Sequence, residues 1–186
     1  MHGLDCSYRQ LHPIHVAVGR NSRPRNQRYV RFHVLDDAET VAVDGARVTS
    51  ILRTLVDCAA MMPRRYAMAP IDSALRQGKT TVEQMLEYVD AIPMLRDRER
   101  IRAVLAQGDG RVENGGESEC RAVLDELGFP VHRVQVEFPC LSHPGRVHRV
   151  DFLLERDDGT LIAGEFDGVQ KYVDPLMTAG RTIRQV

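Results

Sequence analysis

The chain has 186 residues, 43% of them hydrophobic, and a formal net charge of −1. This length allows one good core or two small ones, and no apolar run approaches the roughly 20 residues of a membrane span. The N-terminus lacks the basic and apolar segments of a secretory signal. These features exclude a membrane protein and favour a soluble, cytoplasmic one with no membrane partner.

The four cysteines are far apart in the sequence, and none forms a C-x-x-C pair or a Cys/His spacing suited to zinc. They are Cys6, Cys58, Cys120 and Cys140. We therefore expect reduced thiols, as in a cytoplasmic compartment.

The two halves of the chain differ in charge, which the net value conceals. Residues 1–111 contain 17 basic and 13 acidic side chains, whereas residues 112–186 contain 8 and 13. The basic excess is concentrated in an arginine-rich stretch that includes Arg20, Arg23, Arg25 and Arg28. These arginines could neutralise DNA phosphates in a salt-dependent way. The alternative, a solvated surface loop, is equally compatible with the sequence.

The first half of the chain predicts a small antiparallel sheet followed by helices. Alternating apolar residues predict strands at Ile14–Val18, Arg28–Val34 and Thr40–Val43. Thr49 and Ser50 supply N-cap oxygens for a helix that starts at Ile51. Three further helices are predicted at Tyr66–Arg76, Thr81–Val89 and Met94–Ala106, with a capping box at Thr80 and Glu83 and with Pro93 in the first turn of the last one.

The second half predicts another helix and three strands. The glycine-rich stretch 107–116 marks the expected linker between a domain at 1–106 and a domain at 117–186. The helix is predicted at Glu117–Leu127, with Gly128 just beyond its end. Strands are predicted at Val131–Phe138, Val147–Leu154 and Thr160–Phe166, the last two joined by a hairpin at Asp157-Asp158-Gly159. The fold class is therefore α/β in the α+β sense.

Four carboxylates of this second half are expected to face one another. Glu165 and Asp167 alternate onto one face of their predicted strand, and Asp151 lies on the strand before it. Glu117 falls on the apolar stripe of its helix, where a buried acid is costly without a counter-ion or a proton. A divalent cation would remove that cost.

This pattern suits hydrolysis of a phosphodiester bond. Mg²⁺ or Mn²⁺ can lower the pKa of a water and stabilise charge on a phosphate. We expect Glu117, Asp151 and Glu165 to bind the metal, Asp167 to assist, and Lys171 to contact the phosphate or orient the attacking water.

A structural interpretation competes with this one. Glu117 would cap its own helix, Asp151 and Glu165 would pair with Arg121 and Arg149, and Lys171 would be a solvated surface charge. Each residue taken alone favours this interpretation, because structural ion pairs also gather acids. Taken together, the acids favour a metal site.

The C-terminal motifs resemble a known family. Gly116-Glu117-Ser118-Glu119, Arg149-Val150-Asp151-Phe152 and Gly164-Glu165-Phe166-Asp167-Gly168, with Lys171-Tyr172, are similar to proteins related to the very-short-patch-repair endonuclease, of the PD-(D/E)XK nuclease superfamily. The resemblance implies a restriction-endonuclease-like helix–sheet core over about residues 112–186. It assigns Glu117, Asp151 and Glu165 to the metal and puts Asp167 where the superfamily usually has lysine.

The upstream segment resembles a second family. Val48-Thr49-Ser50 through Arg53-Thr54-Leu55-Val56-Asp57 is similar to the middle region of AbiEi-type antitoxins and transcriptional regulators. Such proteins normally begin with a winged helix-turn-helix, which we expect to be missing here. We also expect the endonuclease-like domain to be incomplete at its C-terminus, since 181–186 has the pattern of an unfinished helix.

Two functions follow as hypotheses. The first is a metal-dependent DNA endonuclease-like protein. The second is a non-catalytic antitoxin of a type IV toxin–antitoxin pair, or a transcriptional regulator, with a degenerate nuclease fold and a cognate toxin or other protein as partner. The sequence leaves the oligomeric state and the DNA substrate open.

Overall fold

A computed structural model describes residues 2–7, 13–19, 21–35 and 40–167, and within them the chain has five helices and seven strands. The α+β fold class is confirmed. The chain divides into a first unit, Met1–Ala122, and a second unit, Val123–Val186. Among the described residues, no helix has the length and apolar character needed to cross a membrane.

The first unit begins with two separate pairs of strands. β1 (Ile14–Val18) pairs with β2 (Val30–Val34) in parallel. β3 (Thr40–Val43) and β4 (Ala46–Thr49) form an antiparallel hairpin around Asp44 and Gly45, whose φ angles of 49° and 78° suit a tight turn. The expectation of one antiparallel sheet was therefore wrong for β1 and β2. The long connection between them lets the chain return and run in the same direction, which a tight hairpin cannot do.

Helices build the main core of the first unit. They are α1 (Ile51–Met61), α2 (Arg64–Arg76), α3 (Val82–Ala91) and α4 (Arg98–Leu105), followed by α5 (Gly115–Glu126). The core includes Leu55, Ile71, Met85, Ile101 and Leu105, all at most 1% exposed. Burial of such side chains contributes about 1.5–3 kcal/mol each.

Four helix starts differ from the prediction: α2 and α5 begin two residues earlier than predicted, and α3 and α4 begin later. The capping box of α3 is formed by Thr81 and Gln84, one residue later than the predicted Thr80 and Glu83. α4 begins at Arg98 rather than at Met94, because Met94 and Asp97 have φ angles of 50° and 55°, which no right-handed helix accommodates.

The stretch 107–116 packs against α2 despite its linker-like composition. A Cβ on Gly108 would lie 2.7 Å from the side chains of Ile71 and Leu75, so this close approach requires glycine. Val112 is fully buried. The glycines of this stretch thus allow close packing. The division into domains 1–106 and 117–186 stays a prediction.

The second unit contains a three-stranded antiparallel sheet. Its strands are β5 (Val131–Pro139), β6 (Val147–Glu155) and β7 (Leu161–Gly164), in the order β5-β6-β7. The predicted hairpin is confirmed: Gly159 has a φ of 79°, and the N–H of Arg156 donates to the Thr160 carbonyl at 3.0 Å. β7 ends at Gly164, so Glu165 and Asp167 follow the strand instead of lying within it.

Candidate functional site

Asp151 lies in the central strand of the second unit and accepts two hydrogen bonds. The backbone N–H of Phe166 donates to its Oδ2 at 2.7 Å, and Gln135 Nε2 donates to its Oδ1 at 3.4 Å. The side chain is half-buried, next to the fully buried Phe152. Because the Asp151 carboxylate takes the N–H of Phe166, the chain beyond β7 leaves the ladder and stays beside Asp151.

Glu165 follows directly on the paired part of β7. Phe152 pairs with Gly164, so Asp151 and Glu165 are the next residues outward on the two chains. Glu165 and Asp167 are both exposed. Lys171 lies outside the described residues.

Glu117 is held in the N-terminal cap of α5. Its carboxylate accepts hydrogen bonds from the N–H of Glu113, at 2.9 Å, and from Asn114 Nδ2. In return, the N–H of Glu117 donates to Asn114 Oδ1 at 3.0 Å. Glu117 is 4% exposed, and these donors, near the positive end of the helix dipole, compensate the burial of its charge. Capping is thus one observed role of this side chain.

The three predicted metal ligands belong to different units, Glu117 to the first and Asp151 and Glu165 to the second. Within residues 2–7, 13–19, 21–35 and 40–167, no group of three or more His, Cys, Asp or Glu side chains is arranged to hold a metal ion. Of the predicted ligands, Asp151 and Glu165 lie one position beyond the last pair of β6 and β7, Phe152 and Gly164. A cation bound there would draw its protein ligands from two carboxylates and complete its shell with water.

Among the described residues, the most buried carboxylate belongs to Asp72, which the sequence analysis did not single out. It is fully buried in α2, and Arg121 Nη2 donates to its Oδ2 at 2.9 Å and to its Oδ1 at 3.1 Å. The N–H of Asp109 donates to Oδ1 at 2.8 Å. Burial raises the pKa of Asp72, and Arg121, Asp109 and Ser118 oppose that rise. This network joins α2, the 107–116 stretch and α5 within the first unit.

The antitoxin-like motif has a local structural explanation. Ser50 caps α1 by accepting a hydrogen bond from the N–H of Arg53 at 3.3 Å. Arg53 pairs with Asp57 one turn later, with Nη2 3.0 Å from Oδ1. Thr54 Oγ1 lies 2.8 Å from Thr49 Oγ1 and donates to the Ser50 carbonyl at 2.9 Å. The spacing of these residues is that of a capped helix start, and the resemblance remains a prediction about family.

The arginine-rich stretch is exposed where the structure describes it. Arg23, Arg25 and Arg28 are solvent-accessible, and Arg20 lies outside the described residues. The Arg28 guanidinium sits over the Tyr29 ring, 5.0 Å from its centroid. Arginines exposed in this way are free to meet an anionic partner, and their contact with DNA stays a prediction.

The comparisons with known proteins assign no activity. Two curated proteins from strains of Mycobacterium tuberculosis are similar to the chain: "Uncharacterized protein MT2308" and "Uncharacterized protein Rv2248". Each is 31% identical over 178 residues, covering 94% of this chain and 58% of the relative. The chain therefore spans little more than half the length of these relatives. No protein-family model and no solved structure matches it with significance.

Proposed function

We propose that the chain is a metal-dependent DNA endonuclease-like protein whose cation site includes Asp151 and Glu165. The observation that supports this proposal best is the 2.7 Å hydrogen bond from the Phe166 N–H to Asp151 Oδ2. It keeps the residue next to Glu165 against the Asp151 carboxylate. A divalent cation would neutralise the charge that these two acids bring to the same end of the sheet.

The donor set fits a hard divalent cation. An ionised carboxylate offers about four acceptor positions, and the contacts of Asp151 with Phe166 and Gln135 use two of them. Mg²⁺ is commonly bound through one or two carboxylates while it keeps several waters. Asp151 and Glu165 are thus sufficient as protein ligands within the second unit, and metal binding by Glu117 stays a prediction.

Each of the predicted site residues has a separate role in the proposed reaction. When bound, Mg²⁺ or Mn²⁺ would activate a water and neutralise charge on the scissile phosphate. Asp151 and Glu165 would hold the cation, and Asp167, two residues beyond Glu165, would accept hydrogen bonds from water. In the same proposal, Lys171 contacts the phosphate, and Arg23, Arg25 and Arg28 bind DNA backbone at other positions.

The proposal includes a compartment. The four cysteines are free thiols, Cys6 exposed and the other three half-buried. Thiols remain reduced in the cytoplasm, where a DNA substrate is also present. We therefore place the protein in the cytoplasm.

Glu117 favours a second candidate function. Its carboxylate bonds to the Glu113 N–H and to Asn114 of its own cap, as a purely structural acid would. By the resemblance, Asp167 stands where the PD-(D/E)XK superfamily usually has lysine, and this also favours the second candidate. In this alternative the chain is a non-catalytic antitoxin or transcriptional regulator, and its nuclease-like part binds a cognate toxin or DNA without cleaving it.

The deciding experiment is a thermal-shift titration with Mn²⁺ and with Mg²⁺. It compares the wild-type chain with Asp151→Asn, Glu165→Gln and the control Asp157→Asn, which removes an exposed carboxylate from the hairpin between β6 and β7. We expect metal to raise the melting temperature of the wild type and of the control. Ligand binding at 100 times Kd stabilises by about 2.7 kcal/mol, which is several degrees for a chain of this size.

The variants decide between the two candidates. Loss of the metal response in both Asp151→Asn and Glu165→Gln supports the cation site and leads to cleavage assays on a DNA duplex. A wild type that does not respond to either metal, or a response retained in both variants, contradicts the proposal and favours the binding protein.

A further inference from the structure

A second group of reactive side chains lies at the turn between β5 and β6, in the second unit. We call Cys140, Ser142, His143 and His148 the Cys140 cluster. Cys140 Sγ is 3.3 Å from Ser142 Oγ and 3.9 Å from His143 Nδ1. Ser142 Oγ is in turn 3.0 Å from His143 Nδ1. A thiol, a hydroxyl and an imidazole therefore form one hydrogen-bonded group.

The backbone of the turn fixes this arrangement. The N–H of Cys140 donates to the Arg146 carbonyl at 2.9 Å, and the N–H of Arg146 donates to the His143 carbonyl at 3.1 Å. The pairing of Phe138 with His148 puts His148 diagonally across from Cys140, where its side chain also reaches the sulfur. The β5–β6 ladder thus fixes the chain before the thiol, and the bond between Arg146 and His143 fixes the turn after it.

The turn that carries the thiol contains no acid, since residues 140–150 include two histidines and two arginines but no Asp or Glu. Glu137 of β5 pairs in register with Arg149. The charged and titratable groups of the turn and of β5 and β6 are His132, Arg133, Glu137, His143, Arg146, His148, Arg149, Asp151 and Glu155. Hydrogen bonds to the sulfur favour the thiolate over the thiol.

The chain offers two internal contrasts. Hydrogen bonds from Ser142, and then from His148 and His143, lower the pKa of Cys140 to about 6. Burial raises the pKa of Cys58 to about 12. Cys6 is more exposed than Cys140. Exposure alone thus predicts that Cys6 reacts first, whereas the cluster predicts Cys140.

We propose that Cys140 is a nucleophilic site for thiol–disulfide exchange with small disulfides. The Cys140 thiolate attacks one sulfur of a disulfide RS–SR, a new bond forms between Cys140 and that sulfur, and the RS–SR bond breaks. The other half leaves as the thiolate RS⁻ and takes a proton from water. The disulfide is the oxidant: its leaving sulfur is reduced to a thiol, and Cys140 is oxidised to a mixed disulfide.

The pH dependence of this reaction distinguishes Cys140 from an ordinary thiol. A low pKa increases the thiolate fraction but reduces the nucleophilicity of each thiolate, with a Brønsted coefficient of about 0.4–0.5. Compared with a free thiol of pKa about 8.5, a thiol of pKa about 6 should exchange roughly 6-fold faster near pH ~6.5 and roughly 10-fold slower near pH ~9. The order of the two rates reverses with pH.

The test uses the full-length, reduced wild-type chain and glutathione disulfide as the probe. A short pulse is quenched with acid, and peptide mass spectrometry measures the mixed disulfide on each of the four cysteines, with a one-cysteine peptide as the reference thiol. We expect Cys140 to react ahead of Cys6 near pH ~6.5, where ordinary thiols are mostly protonated. Near pH ~9, the exchange rate of Cys140 should instead be lower than that of the reference peptide.

Two variants and a control test the cluster itself. His143→Asn and Ser142→Ala remove side chains of an exposed turn and should shift the rate profile of Cys140 to higher pH. His132→Asn removes an exposed imidazole of β5 that faces Glu155, and it should leave the profile unchanged. The proposal is overturned if Cys140 reacts no faster than Cys6, if its ratio to the reference peptide does not depend on pH, or if both cluster variants keep the wild-type profile.

Discussion

Each of the two units contains a carboxylate that accepts a hydrogen bond from a backbone N–H, but the two carboxylates differ in burial and in the number of their partners. In the first unit, Asp72 is fully buried, and Arg121, Asp109 and Ser118 occupy its oxygens. In the second unit, Asp151 is half-buried at the end of a strand ladder, next to an exposed acid. A buried acid with a complete set of partners contributes to folding alone, whereas an acid with acceptor positions left can also bind a ligand. Burial and spare acceptor capacity, more than the presence of an acid, separate the two roles.

The largest effect should come from Arg121→Met. It leaves Asp72 buried without its counter-ion, and breaking a buried pair in this way costs about 3–5 kcal/mol. Urea unfolding at neutral pH measures the loss. Arg111→Met is the control, since the Arg111 side chain is 65% exposed, against 19% for its partner Asp109, and pairs that solvent reaches contribute about 0–1 kcal/mol. Equal losses in the two variants would contradict the distinction drawn for Asp72.

The same variant has a predicted pH dependence. Burial already raises the pKa of Asp72 in the folded protein, and loss of Arg121 raises it further. A raised carboxyl pKa favours the protonated form in the folded state, so the folded protein loses stability as the pH rises above the unfolded value of about 3.9. The cost of Arg121→Met should therefore be smaller in acid than at neutral pH. A constant cost would exclude Asp72 as its source.

An intermediate effect is expected at Glu117. Glu117→Ala leaves the N–H of Glu113 and the amide of Asn114 without their acceptor, and a lost bond to a charged group costs about 1.5–3 kcal/mol. Glu117→Gln keeps an acceptor oxygen and should lose less. Thermal unfolding with and without Mn²⁺ measures both. A large metal response that disappears in Glu117→Gln would move this residue from the helix cap to the cation site.

The smallest effect is expected for Asp151→Asn without metal. The asparagine oxygen can still accept the Phe166 N–H, so the unfolding free energy should fall by less than about 1 kcal/mol, the typical worth of a hydrogen bond. Metal-free urea unfolding provides the measurement. A loss of unfolding free energy as large as that of Arg121→Met would mean that Asp151 stabilises the fold as strongly as the Asp72–Arg121 pair does. That result would contradict the difference drawn between the two units.

Local signals predicted most of the secondary structure. The cap at Ser50, the helix C-terminus before Gly128 and the hairpin at Asp157–Gly159 depend on neighbouring residues and were found where the sequence puts them. The parallel pairing of β1 with β2 depends on the path of the loop between them, which periodicity does not encode. The strand β4 was missed because its sequence, ARVT, has a single large apolar residue, Val48, whereas the equally short β3 alternates Val41 and Val43 with smaller residues.

The site was harder to predict because its partners are distant in sequence. Strand alternation placed Asp151 near Glu165, but it also extended β7 beyond Gly164, where the Phe166 N–H turns to a side chain instead of a strand carbonyl. The buried position of Glu117 was predicted correctly, whereas its bonds to Asn114 and Glu113 depend on the cap geometry. The Asp72–Arg121 pair has no local signal, since 49 positions separate the two residues.

The packing of the 107–116 stretch bears on how the chain can be dissected. Glycine-rich composition normally invites a cut between independent pieces. Such a cut would leave Asp72 in one fragment and Arg121 in the other, each an ion without its partner. It would also expose the buried Val112 and remove the close packing of Gly108 against Ile71 and Leu75. Fragments divided there should therefore be unfolded when separate, and mixing them should restore the folded structure.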